Sequence, residues 1–125
     1  MKKEEIGYIY SEMDLGKDEK IFLKEAEKRN IELKMININE DFEEKGILEK
    51  VENCKIVYNS SAENFAQEFV KMIESFGKKV VDSSKTYYFV EDKWIFYVSC
   101  KENKIPVPDT ILLSENLNIA KISNQ

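Results

Sequence analysis

Short, nearly continuous apolar runs alternate along this chain with stretches whose apolar residues recur at helical spacing, and that alternation predicts an α/β fold. Ile6-Gly7-Tyr8-Ile9-Tyr10 is apolar almost throughout, as a strand buried on both faces of a parallel sheet would be. After the polar stretch Ser11 to Gly16, the segment Lys17 to Asn30 places Phe22, Leu23 and Ala26 on one side at helical spacing. Asn30 suits a helix stop. Leu33 to Ile38 alternates apolar and polar positions and predicts a second strand, less buried than the first. The acidic stretch Asn39 to Asn53 carries Ile47, Leu48 and Val51 and predicts a short helix. Ile56-Val57-Tyr58 reads as a third strand, followed by Asn59-Ser60-Ser61, a polar trio able to turn the chain and cap a helix. Phe65, Ala66, Phe69, Val70, Met72, Ile73 and Phe76 trace the clearest helical stripe, which Gly77 stops. Lys79-Val80-Val81 is a fourth strand, closed by Asp82-Ser83-Ser84.

Strand and helix in this order predict a small Rossmann-like fold: a four-stranded parallel sheet with right-handed crossovers and helices on both faces. The chain then changes character. Lys85 to Val90 reads as an aromatic connector, and Glu91 to Asn103 as a helix bearing Trp94, Tyr97 and Val98. Ile105-Pro106-Val107-Pro108 cannot be helical, because each proline restricts itself and the residue before it. Thr110-Ile111-Leu112-Leu113 reads as a strand, and Ser114 as the cap of a helix over 115–125 that is still running where the sequence ends. The expected division is a Rossmann-like domain over residues 1–90 and a truncated helix–strand–helix stub over 91–125. The stripe with Trp94, Tyr97 and Val98 is expected to be partly exposed or self-associated, which makes a homodimer through the stub an expected partner.

Charge narrows the function classes. Twenty-four acidic residues against nineteen basic ones leave a net charge of −5 and a pI of about 5.0, which argues against nucleic acid as a partner. Histidine is absent, removing the usual general base and the commonest metal ligand. Cys54 and Cys100 stand far apart with no CxxC spacing. A zinc site is therefore not expected, and both read as small buried thiols in a reducing compartment. The charged start, Met1 to Glu5, lacks the apolar core of a signal peptide, and no apolar run approaches a membrane span. A cytoplasmic protein without membrane partners is expected.

The loop Ser11 to Gly16 is neither GxGxxG nor a P-loop, and Glu12 and Asp14 would repel a phosphate. In open parallel sheets, ligands bind beyond the carboxyl ends of the strands, near the switch point in strand order. Here those ends are Tyr10-Ser11, Asn59-Ser60-Ser61 and Asp82-Ser83-Ser84. Such residues offer hydroxyl, amide and backbone N–H donors to a carboxylate or phosphate, or else serve as ordinary caps and turns. The aromatic residues Tyr87, Tyr88, Trp94 and Tyr97 read as packing surfaces more readily than as a stacking platform.

The run V-V-D-S-S-K-T-Y-Y-F-V-E-D-K, continuing to K-I-P-V-P-D-T at Thr110, resembles the domain junction of ATP-grasp carboxylate–amine ligases of the RimK/LysX-like type. The front end, with I-G-Y-I-Y-S, D-E-K-x-x-L-K-E-A-E-K-R-N-I-E-L and V-Y-N-S-S, is similar to the lysine-biosynthesis branch of that family. The resemblance implies the pre-ATP-grasp, substrate-side domain of such a ligase plus the start of its ATP-grasp domain. Lys93 matches a lysine that approaches the bound nucleotide. Asn59, Ser60 and Ser61 match the loop that faces the acceptor substrate, and Ser11, at the carboxyl end of the first strand, is expected to face it too. In the parent enzyme, ATP and Mg²⁺ would convert a carboxylate to an acyl phosphate for attack by an amine. The substrate would be an amino acid or other carboxylate, carried in some members on a carrier protein or another protein. The second nucleotide lysine, the magnesium ligands and the glycine-rich lid lie in later subdomains, so this chain by itself is expected to be inactive and to hold no cofactor. Asp82 where Asn is usual, Ser84 for Pro, Glu91 for Gly and Ser60 for Arg depart from the family pattern and leave the substrate open. The alternative is a free-standing flavodoxin-like interaction or dimerisation module. A receiver-type version fails because Asn59-Ser60-Ser61 has no phosphoacceptor aspartate.

Overall fold

The computed structural model describes residues 2–41 and 43–113. Strand β1 (Glu4–Tyr10) pairs in parallel with β2 (Ile31–Asn37) on one side, Tyr8 lying opposite Met35. On its other side it pairs in parallel with β3 (Cys54–Asn59), Tyr8 lying opposite Tyr58. The two-residue β4 (Val80–Val81) pairs in parallel with β3. The order β2-β1-β3-β4 is the four-stranded parallel sheet of a small Rossmann-like fold, as the alternation predicts. Strand order reverses between β1 and β3, so the switch point lies over their carboxyl ends.

Helices α1 (Lys17–Lys28), α2 (Glu44–Val51) and α3 (Ala66–Ser75) supply the crossovers. Alternating strand residues divide between the two faces. Ile9, Ile36 and Val57 form the core with Ile47 and Val51 of α2 and with Phe69 and Ile73 of α3. Tyr8 and Tyr58 meet Phe22 of α1 on the opposite face. Gly77, at φ 82°, ends α3: its N–H donates to the Glu74 carbonyl (2.9 Å) and that of Lys78 to the Ile73 carbonyl (3.4 Å). This is the paired bond pattern of a left-handed helix stop. Asn30 (φ 56°) closes α1 in the same conformation. Cys54 and Cys100 are buried and unbridged, and burial pushes the Cys54 thiol up to about 11. Among the described residues, no helix is long and apolar enough to cross a membrane.

Contacts divide the chain into Met1–Tyr87, which holds the sheet, and Tyr88–Gln125. Three expectations need correction. Lys85 to Val90 is not a connector but part of helix α4 (Ser84–Glu91). Ser83 nucleates it, its hydroxyl accepting from the Thr86 N–H (3.1 Å) and its carbonyl from the Tyr87 N–H (3.0 Å). Thr110-Ile111-Leu112-Leu113 is not a strand, because it finds no pairing partner among the described residues and an isolated strand leaves its backbone groups unpaired. Asn59-Ser60-Ser61 turns the chain but does not cap α3, which begins at Ala66 after Phe65 without a side-chain cap. The helix expected over 115–125 lies outside the described residues.

In the second unit, α5 (Lys93–Glu102) is capped by Asp92, whose carboxylate accepts from the N–H groups of Trp94 (2.9 Å) and Ile95 (3.1 Å). Asp92→Ala should cost about 1 kcal/mol of local stability, read as roughly five-fold faster amide exchange at Trp94 and Ile95. Unchanged exchange would show that the cap contributes nothing to the helix.

Candidate functional site

A cavity of about 650 Å³ lies at the switch point. Its floor is set by the ends of β1 and β3. Ser60 joins them, both its N–H (3.0 Å) and its hydroxyl (2.7 Å) donating to the Ile9 carbonyl. Ser11, Ser60 and Ser61 line the cavity, so three of the four residues expected to face substrate come together. The fourth, Asn59, shapes the turn instead, its Oδ1 accepting from the Ser61 N–H (3.0 Å). Lys93 is the exposed first residue of α5 in the second unit.

An aromatic wall of Tyr8, Phe22 and Tyr58 completes the inner side. Phe22 and Tyr58 stack at 5.4 Å and 21°, and Tyr8 sits 5.0 Å from Phe22 and 5.5 Å from Tyr58 between ring centres. Tyr8 is 1% exposed, and among the described residues its hydroxyl makes no hydrogen bond of regular geometry, although the Ser60 hydroxyl lies close enough to act on it. Burial raises its pKa above 10.0, with Glu19 and Asp18 adding to the rise and the Ser60 hydroxyl opposing it.

The outer side is charged. Glu12, Asp18, Glu19 and Glu63 face a single ammonium, that of Lys17. Glu19 stands out because it is only 5% exposed and makes no ion pair or hydrogen bond among the described residues. It occupies the third position of α1 and bends back over Gly16. A Cβ added there would lie 2.6 Å from Glu19 Oε2, so glycine at this position leaves the carboxylate its room.

The loop bearing Ser11 and Glu12 is held from behind by a polar network. Asn37 Nδ2 donates to the Glu12 carbonyl (2.9 Å), and Asn39 Nδ2 to the Ser11 carbonyl (2.7 Å). Asn37 Oδ1 accepts from the Asn39 N–H (2.9 Å), while the Asn37 N–H donates to Asp41 Oδ2 (2.7 Å). Lys50 then ties Asp41 (2.8 Å) to the Met35 carbonyl (2.9 Å).

Tyr8, Phe22, Tyr58 and Glu19 are site residues that sequence reasoning does not single out. The available signal is a pair of tyrosines, where isoleucine or valine would suffice, on the two central strands flanking the switch point. Among the described residues, no three acidic, histidine or cysteine side chains form a metal-ligand group. No protein-family model matches this chain, and no curated protein is similar enough to place it in a family.

Proposed function

We propose that this chain binds a small-molecule substrate at the carboxyl edge of its sheet and serves as the substrate-side domain of an ATP-dependent carboxylate–amine ligase. The observation that carries the reading is the 650 Å³ cavity at the β1/β3 switch point, lined by Ser11, Ser60 and Ser61. The ligase setting comes from the resemblance around Asp92-Lys93 and Pro106-Val107-Pro108. The cavity does not itself suit ATP, since four carboxylates against one lysine would repel a triphosphate. Nucleotide chemistry therefore belongs, in this reading, to residues other than those of the cavity.

Titration with a panel of amino acids, followed through the amide signals of Ser11, Ser60 and Ser61, tests the reading. At least one amino acid should move these signals saturably at millimolar concentration, while ATP with Mg²⁺ leaves them in place. Movement by the nucleotide alone would overturn it.

A second reading, a non-catalytic interaction module, is favoured by an adjoining apolar groove of about 370 Å³ on the α1 face, which shares Tyr8, Phe22 and Tyr58 with the cavity and is lined also by Ile6, Leu33, Ile56 and Val81. Under that reading a charged substitution at Leu33 abolishes self-association in sedimentation and leaves the carboxyl-edge cavity without a ligand.

A further inference from the structure

We propose that the carboxyl-edge cavity recognises an organic cation, a primary ammonium on a short apolar stem such as a diamine or a basic amino-acid side chain. This rests on the substrate-side reading above and specifies the charge of the group bound. Serines at strand ends suit anions as readily as cations, so the other lining groups decide. Four carboxylates face one lysine, which makes the cavity a field for positive charge. The α1 N-terminus brings only a partial positive charge, and Asp18 and Glu19 already sit in that first turn.

Two buried residues in the wall lack a regular partner among the described residues. Glu19 is 5% exposed as a residue and makes no ion pair or hydrogen bond there, and Tyr8 is 1% exposed with no hydrogen bond of regular geometry at its hydroxyl. Buried carboxylates are normally paired or hydrogen-bonded, so a lone one lining a cavity marks where a cation from outside belongs. An ammonium carries three donors and no acceptor. Glu19 and Tyr8 offer acceptor oxygens, and so does Ser60, whose own proton is spent on the Ile9 carbonyl. The rings of Tyr8, Phe22 and Tyr58 supply an apolar wall for its stem. A metal ion fits less well, because no three of these carboxylates draw together as a ligand set.

The test uses three matched five-carbon probes: cadaverine, pentanediol and glutarate, with inorganic phosphate as a second anion. Backbone amide signals of Gly16, Glu19 and Ser60 report on the unaltered protein. Cadaverine should move them saturably at millimolar concentration and the other probes should not. Glu19→Gln should weaken cadaverine binding by roughly thirty-fold or more, with the core signal of Ile47 unmoved as the check on folding. If glutarate or phosphate moves the three amides and cadaverine does not, the cation proposal fails while the substrate-side reading stands. If no probe of any charge and no amino acid moves them, both fail. Cadaverine binding unaffected by Glu19→Gln, or non-saturating shifts spread over the acidic surface, would also overturn the proposal. Should Glu19→Gln not fold, the comparison among probes on the unaltered protein decides.

Discussion

Replacing Gly7 by alanine should destabilise the first unit by about 1–3 kcal/mol, through overpacking of the central strand pair. A Cβ at Gly7 would sit 2.8 Å from Val57 Cγ2 and 3.0 Å from Cγ1. Val57 is fully buried in the core and cannot swing into solvent. Glycine is needed here for closeness of approach and not for an unusual backbone angle. Val57→Ala alone should cost about 2 kcal/mol, by removing buried methyl groups and leaving a void. The double variant should lose less than the two single losses added together, because the new methyl occupies the vacated space. A coupling of about 1 kcal/mol or more is expected in a urea-denaturation cycle. Additive losses would mean that Gly7 and Val57 do not meet as the β1–β3 register places them.

Asn37→Leu should cost about 2 kcal/mol and loosen the mouth of the cavity. Asn37 is 2% exposed, and its side chain both accepts from Asn39 and donates to Glu12. Leucine is close in size but leaves an N–H and a carbonyl without their partners. The effect extends to the cavity, because Ser11 and Glu12 line it and Asn37 and Asn39 hold their carbonyls from behind. Denaturant unfolding should show the stability loss, and amides over residues 11–16 should exchange faster by more than the global loss alone explains, while those of α3 speed up only by as much as that loss requires. Unchanged exchange over that loop would show that it is positioned without Asn37.

Much of the sheet is legible from the residues because β1 and β3 are covered on both faces, and such strands cannot avoid a continuous apolar signature. The stripe of α3 and its glycine stop are equally plain. Helix α4 is not. Thr86, Tyr87, Tyr88 and Val90 are weak helix formers, and their run looks extended until Ser83 is seen to cap it and the Tyr87 hydroxyl to meet Asn64. The candidate site divides in the same way. Ser11, Ser60 and Ser61 follow from a topological rule about strand ends. Tyr8 and Tyr58 become neighbours only through the β1–β3 register, which is irregular between Glu5 and Ile6 and so is not a matter of counting. Glu19 is hidden in the sequence among many surface acids of the same kind. Only its fold back over a residue without a side chain, Gly16, separates it from the others.

The brevity of β4 has a consequence at the rim of the sheet. Two residues present too few free amide and carbonyl groups to template a strand from a neighbouring molecule. The opposite rim, β2, carries Lys34 between Glu5 (3.3 Å) and Glu32 (3.2 Å), and a stranger's backbone would have to dock against that charge cluster. Both margins thus discourage amyloid-like stacking, leaving the two central strands free to be as apolar as the core requires.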